Sequence, residues 1–230
     1  MGKLMDSRLL AVAEMVRPGS VVADIGADHG HLICHLVKEG TAIKGYACDI
    51  GQKPLDACAR TVARCGLGNK IELCLNDGLQ GLPIEEIDDI IIAGMGGELI
   101  ADIIKAAPGA RDELLRFILQ PMTKAERLRA CLYQMGYAIQ RERAVQSGEF
   151  LYTVVSVCYT GQCKDVDEFF TWVGLLPQDN SPQNRKLLAL TAQRLAKIAD
   201  GLARTSQGRE KADRYNKFAH DIDKILQKEG

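Results

Sequence analysis

The chain has few aromatic side chains: five Phe, six Tyr and one Trp make up 5% of 230 residues. It also lacks charge of one sign, with 29 Lys+Arg against 30 Asp+Glu and a formal net charge of -1. Residues 1–160 carry 17 basic and 20 acidic side chains, and residues 161–230 carry 12 and 10. A nucleic-acid partner is thus neither demanded nor excluded, and any basic surface has to be local. No apolar run approaches the roughly 18 residues of a membrane-spanning helix, and no secretory leader is legible at the start, so a cytoplasmic protein without a membrane partner is expected. Eight cysteines are scattered without a C-x-x-C, which argues for free thiols packed as small hydrophobes.

What is there is a regular alternation. After Asp6-Ser7, apolar residues at 9, 10, 12, 13 and 16 take helical spacing, and Pro18-Gly19 closes the segment. Short apolar strands are predicted at 21–25, 45–48, 71–75, 89–93 and 117–119, with helices at 31–38, 54–65, 98–107 and 124–135 between them. Strands alternating with helices imply a parallel sheet covered on both faces. Beyond Gly136 two longer strands, 137–143 and 150–158, joined through Gln146-Ser-Gly148, read as an antiparallel hairpin. The expectation is an α/β fold with the seven-stranded, Rossmann-like sheet of class I methyltransferases over residues 1–160. Residues 161–167 read as a boundary. In 161–230, Leu188, Leu195, Leu202 and then Tyr215, Phe218, Ile222 and Ile225 form two amphipathic stripes, interrupted near Ser206-Gln-Gly208. They predict a C-terminal coiled-coil helical hairpin, with a shorter helix at 168–176 beside it.

Chemistry gathers at the strand ends. Asp24-Ile-Gly-Ala-Asp-His-Gly30 follows the first strand. Gly26 lets the chain turn sharply and Gly30 lets a cofactor approach the helix start. A dinucleotide fingerprint needs glycine where Asp28 stands, because a carboxylate repels a pyrophosphate. S-adenosylmethionine carries a sulfonium cation and no phosphate, so acidic residues suit it. Asp49, with Ile50 after it, closes the second strand where a carboxylate accepts ribose hydroxyls, a feature shared by both cofactor types. Asn76-Asp77-Gly78 follows the third strand; Asp77 is placed to take an adenine amino group, though the same triplet is good turn chemistry. Ala93-Gly94-Met95-Gly96-Gly97 ends the fourth strand, where three glycines let the backbone pass beneath methyl donor and target, with Met95 as an apolar wall. His31 and His35 have a metal-ligand spacing, yet nothing completes a set on that face, so no metal is expected. His29 is read instead as a contact near the active site.

The segments Ala23-Asp-Ile-Gly-Ala-Asp-His-Gly30, Ile91-Ile-Ala-Gly-Met-Gly-Gly97 and Ile118-Leu-Gln-Pro121, with Asp77-Gly-Leu79 between, resemble the TrmK family of bacterial methyltransferases. The resemblance runs from about Ser7 to Tyr159. It implies S-adenosylmethionine as cofactor, tRNA as partner and methyl transfer to N1 of adenine 22. Asp28, His29 and Met95 are then expected at the transfer site, with Asp28 beside the methyl donor and beyond the reach of Asp49 and Asp77. The cofactor falls to Asp24, Gly26, Gly30, Asp49, Ile50, Asn76, Asp77, Gly78, Ala93 and Gly94. The RNA substrate falls to Arg8, Gly96, Gly97, Gln120 and Pro121, with Lys124, Arg127, Arg129, Arg141 and Arg143 available for phosphates. Met122 departs from the family pattern, which often has Asn there to hold the exocyclic amine of adenine. Taken without the resemblance, the residues leave a small-molecule or protein substrate open, and the scarcity of aromatics and of basic patches leans slightly that way.

Overall fold

The computed structural model describes residues 5–204 and 206–228. Its elements run in the order α1 (Ser7–Ala13), β1 (Ser20–Ile25), α2 (His31–Lys38), β2 (Ala42–Asp49), α3 (Gln52–Cys65), β3 (Ile71–Leu75), β4 (Asp89–Gly96), α4 (Gly97–Lys105), β5 (Arg116–Thr123), α5 (Ala125–Gln134), β6 (Tyr137–Ser147), β7 (Phe150–Tyr159), α6 (Glu168–Val173), α7 (Pro182–Leu202) and α8 (Arg209–Lys228). The sheet order is β3-β2-β1-β4-β5-β7-β6, with β3 through β5 parallel and β7 and β6 antiparallel. The order reverses at β1/β4, and in open α/β sheets ligands bind beyond the carboxyl ends of the strands at such a switch point.

Asp6 caps α1 through the Leu9 N–H, as its side chain allows. The central strands are apolar on both faces because helices cover both: Ile90 and Ile92 belong to the core under α4 and α5, Ile91 to the core under α1, α2 and α3. Strands β4 and β5 extend further than expected. Their pairing continues to Gly96 opposite Thr123, with register irregularities around Met95. The helix expected at 168–176 stops at Val173, since Gly174 takes φ 56°, ψ -139°, and a 3₁₀ turn over Leu176–Gln178 follows.

Helices α6, α7 and α8 share one core, built on Trp172, Leu188, Leu195, Tyr215, Phe218 and Ile222, and Ala144 of β6 belongs to it. Buried Asn184 fixes that join: its Oδ1 accepts the Ala144 N–H at 2.7 Å and its Nδ2 donates to the Leu176 carbonyl. The hairpin of α7 and α8 is thus seated on the β6 edge of the sheet, whose backbone it partly covers.

Candidate cofactor and transfer site

The loop after β1 is held by backbone bonds to the neighbouring strand. The N–H groups of Gly26 and Ala27 both donate to the Cys48 carbonyl, at 2.8 and 2.9 Å. Gly26 takes φ +73°, so glycine is needed for conformation, while a Cβ there would only displace the flexible end of Met95. Asp28 follows with φ 48°, a left-handed conformation that Asp tolerates better than most residues. Its N–H donates to Asp49 Oδ2 at 3.3 Å, while Asp49 Oδ1 accepts from the Gly51 N–H at 2.9 Å. The expected separation of Asp28 from Asp49 is thereby corrected: the turn folds back onto the end of β2, and the two acids bracket one loop. The Asp28 and His29 side chains are exposed, 3.8 Å apart, and His29 stacks on His31.

A cavity of about 280 Å³ opens beside this loop, lined by Arg8, Asp24, Gly26, Asp28, His29, His31, Ala93 and Gly94 among others. Asp24 is buried at the end of β1. Desolvation, reinforced by the nearby Asp49 charge, pushes its carboxyl up to about 7. Among the described residues no cation pairs with it. The cation of the cavity is Arg8 of α1, whose side chain is 17% exposed. Its Nη1 donates to Gln120 Oε1 at 2.7 Å, and the Gly94 N–H donates to the same oxygen at 3.1 Å. Gln120 is fully buried, and its Nε2 donates to the Pro121 carbonyl. Both ends of its amide are thus occupied within the protein, so the expected direct contact of Gln120 with substrate is replaced by support of Arg8 and Gly94 from beneath.

On the other side of the loop, Asp49, exposed Ile50 and Asn76 mark the ends of β2 and β3. The Asn76 N–H donates to the Asp49 carbonyl at 3.0 Å and its side chain to the Gln80 carbonyl at 2.5 Å. Asp77 is exposed, and with Gly78 it borders a separate cavity of about 170 Å³ against α4. At β4 and β5, Met95 lies opposite Pro121. Gly97 is buried, and a Cβ there would come within 2.5 Å of the Lys124 carbonyl. Its place is explained by this crossing of α4 and the turn into α5, not by an open approach for substrate. Met122 is 40% exposed, next to a groove it shares with Pro121, Lys124, Trp172 and Arg194. The helical segment therefore reaches the β5 end.

The basic side chains sort differently from expectation. Arg129 is buried and bound to Glu142, and Arg143 donates to the Ala11 carbonyl and to Glu14, so neither is free for a phosphate. Lys124 pairs with Glu98, while Arg127 and Arg141 are exposed. No chemical signal in the sequence pairs Arg129 with Glu142, which lie on different elements. Burial pushes the Cys58 thiol up to about 11 and the Cys34 thiol to about 12, which disfavours a thiolate nucleophile beside the loop. Among the described residues no group of three or more His, Cys, Asp or Glu is disposed to hold a metal ion.

A methyltransferase-domain family model matches residues 5–155. The chain is 37% identical over 151 residues to the tRNA (adenine(22)-N(1))-methyltransferase of Bacillus subtilis, a match covering 66% of this chain and 63% of that protein; it thus spans less than two thirds of that relative. The crystal structure of the B. subtilis m1A22 tRNA methyltransferase TrmK superposes with a TM-score of 0.84 at 28% identity, covering 96% of this chain and 98% of the other. That of Mycoplasma capricolum TrmK with S-adenosyl-homocysteine superposes at 0.80 and 25% identity, covering 97% and 99%.

Proposed function

The chain belongs to the methyltransferase-domain family and, within it, to the TrmK family, and from that premise we propose that it transfers a methyl group from S-adenosyl-L-methionine to N1 of adenine 22 in tRNA. The observation that carries this reading is the cavity beside the β1 loop, where buried Asp24 and partly buried Arg8 face one space at the switch point of the sheet. An ammonium group suits the first and a carboxylate the second, and a methionyl group bears both. Exposed Ile50 offers an apolar face for an adenine, and Asp49, fixed by two N–H donors, retains lone pairs for ribose hydroxyls. Asn76, Asp77 and Gly78 complete the nucleoside side, and Gly30 opens α2 next to it.

When bound, S-adenosylmethionine supplies an electrophilic methyl group on a cationic sulfur. N1 of neutral adenine has a free lone pair, so no residue needs to remove a proton first. The work of the chain is alignment, which is worth about 7–11 kcal/mol of barrier in favourable cases, and tolerance of the positive charge left on the base. Asp28, exposed at the cavity mouth, stabilises that charge. Met95 and the backbone at Gly94 and Gly96 form the apolar floor beneath the base, and Met122 lines it without offering an amide. The similarity to the B. subtilis tRNA enzyme extends through the helical hairpin, which favours RNA over a small-molecule or protein substrate. An RNA substrate goes with a cytoplasmic location, and no helix among the described residues is long and apolar enough to cross a membrane.

The test is tritiated methyl transfer onto tRNA lacking the modification, followed by nucleoside analysis. 1-Methyladenosine at position 22 is expected. Methylation of protein or of small molecules alone would overturn the assignment.

A further inference from the structure

Of the twelve aromatic side chains only Phe150, at the turn between β6 and β7, is exposed, at 66%. A single exposed ring is ordinary; the surroundings of this one are not. Tyr152 follows it on the same face of β7, with the ring centroids 6.3 Å apart. Strands β5 and β7 are antiparallel, with Leu119 opposite Val155, so the turn stands at the carboxyl end of β5, where the transfer site lies. The turn is tethered from two directions: the Ser7 hydroxyl donates to the Gln146 carbonyl at 2.5 Å, and Lys186 Nζ of α7 donates to Gln146 Oε1 at 3.2 Å. Tyr152 also borders a groove of about 130 Å³ together with Met122, Lys124, Glu126, Trp172 and Arg194. The Arg194 guanidinium lies 5.3 Å over the Trp172 ring, and its Nη2 is 3.4 Å from Glu126 Oε1. A flat cation is thus fixed by an indole and a carboxylate while its side chain stays 55% exposed. Aromatic rings and guanidinium planes are the surfaces on which unpaired nucleobases stack. On α7, Lys186, Leu190, Arg194 and Lys197 recur at four, four and three, which puts them on one face, and all four are exposed.

We propose that this groove is a second nucleobase site, separate from the cavity beside the β1 loop. The base next in the RNA chain to the target adenine stacks on Phe150 and Tyr152 and on the Arg194 plane, and its phosphate meets the face of α7 that bears Lys197. This rests on the reading of the substrate as tRNA. Extruding the adenine leaves its neighbour unstacked on one side, at a cost of a few kcal/mol, and the protein rings replace the lost face. Stacking of this kind is tolerant of sequence, so the site holds the strand open without reading the neighbouring base. The scarcity of aromatics, which leaned away from RNA, is offset by where these few stand.

Binding is measured with unmodified tRNA and with the same tRNA made abasic immediately 5′ or immediately 3′ of the target adenine. Phe150→Ser combined with Tyr152→Leu should weaken the intact tRNA about five- to a hundredfold, the range for stacking on one base. It should raise KM more than it lowers kcat. The slope of affinity against salt should not change, because no phosphate contact is lost. One of the two abasic tRNAs should bind the native protein more weakly by a similar factor and lose nothing further with the variant, the non-additivity of two groups in contact. Phe150→Tyr combined with Tyr152→Phe keeps both rings and should bind as the native protein does. Phe150→Ser alone alters an exposed side chain and should show the same pattern in weaker form. Lys197→Gln is the contrast, with a salt dependence shallower by about one phosphate contact. Thermal unfolding and affinity for S-adenosylhomocysteine should be unchanged in Phe150→Ser. A folded double variant that binds tRNA normally, or losses that simply add for both abasic tRNAs, overturns the proposal and leaves the tRNA reading standing. A native protein that binds no tRNA overturns both.

Discussion

Two regions of this molecule bury a carboxylate, and they treat it in opposite ways. At the junction of sheet and helical hairpin, Glu142 is enclosed by Arg129 Nη2 at 2.6 Å, Arg129 Nε at 3.0 Å, the Thr153 hydroxyl at 2.7 Å and the Leu175 N–H at 2.8 Å. Arg129 in turn donates to the carbonyls of Thr171 and Trp172. Every charge there is met from within the chain. At the β1 end, Asp24 is buried as deeply, no cation among the described residues meets it, and its carboxyl is pushed up to about 7. A satisfied buried charge holds parts together; one left without a counterion awaits a cation from outside.

The comparison breaks first at the junction. Arg129→Met leaves Glu142 buried without its partner and should destabilise the fold by about 3–5 kcal/mol, read by denaturant unfolding, while ligand affinity of the folded fraction stays unchanged. A loss below 1 kcal/mol would mean that the pair is not structural. Second in size is Asp28→Asn. Asn tolerates the left-handed conformation and keeps the backbone N–H that meets Asp49, so the turn survives while the charge is lost. Turnover should fall about ten- to a thousandfold with cofactor affinity little changed. Normal single-turnover methylation by a stably folded variant would remove the proposed role. Third, Asp49→Ala should cost one to two decades in cofactor affinity, the scale of hydrogen bonds to a charged group; calorimetry showing unchanged affinity would take Asp49 out of the site.

The smallest effect is on pH. If an ammonium group of the ligand needs the ionised form of Asp24, a group titrating near 7 is about one-tenth ionised at pH 6 and nine-tenths at pH 8. Affinity should then rise roughly tenfold across that interval. Because His29 and His31 line the same cavity, Asp24→Asn is the control, and it should flatten the profile. The stability effect has the opposite sign. The folded state holds the Asp24 proton up to about 7 and the unfolded chain only to about 3.8, so stability declines as pH rises between those values. Removal of the charge in Asp24→Asn should abolish this decline. A pH-independent affinity in the native protein would erase the distinction between the two buried acids.

Much of the sheet was legible because strand ends carry their own chemistry. Asp24, Asp49 and Asn76 each close an apolar run, and glycines mark the turns, so order and spacing sufficed to place them. The helical stripes at Leu188, Leu195 and Tyr215, Phe218, Ile222 were legible for the same reason: a period of three and four is a local property. What stayed hidden is non-local. Arg129 resembles its solvated neighbour Arg127, and only the packing of α5 against β6 turns it into an internal ion pair. Gln120 reads as a substrate contact because it precedes Pro121 at a strand end, and only the approach of α1 shows that its amide is already engaged. The contact of Asp28 with Asp49 depends on the left-handed turn, which spacing does not disclose.

The lock at Glu142 has a mechanical meaning. A Cβ on Gly174 would collide with the Glu142 carboxylate, so the chain leaves α6 through a passage with no clearance, and Asn184 ties the start of α7 to β6 a few residues later. Helix α7 then extends 21 residues, about 30 Å at 1.5 Å per residue, from a base tied to β6 and to the turn after α6. Such an arm acts as a gauge: whatever its far end rests on is held at a set distance from the strand ends, and a tilt of a few degrees at the base displaces that end by a few ångström. On the proposed function, fidelity in the choice of one adenine would then depend on a glycine and an ion pair that lie outside the cavity beside the β1 loop.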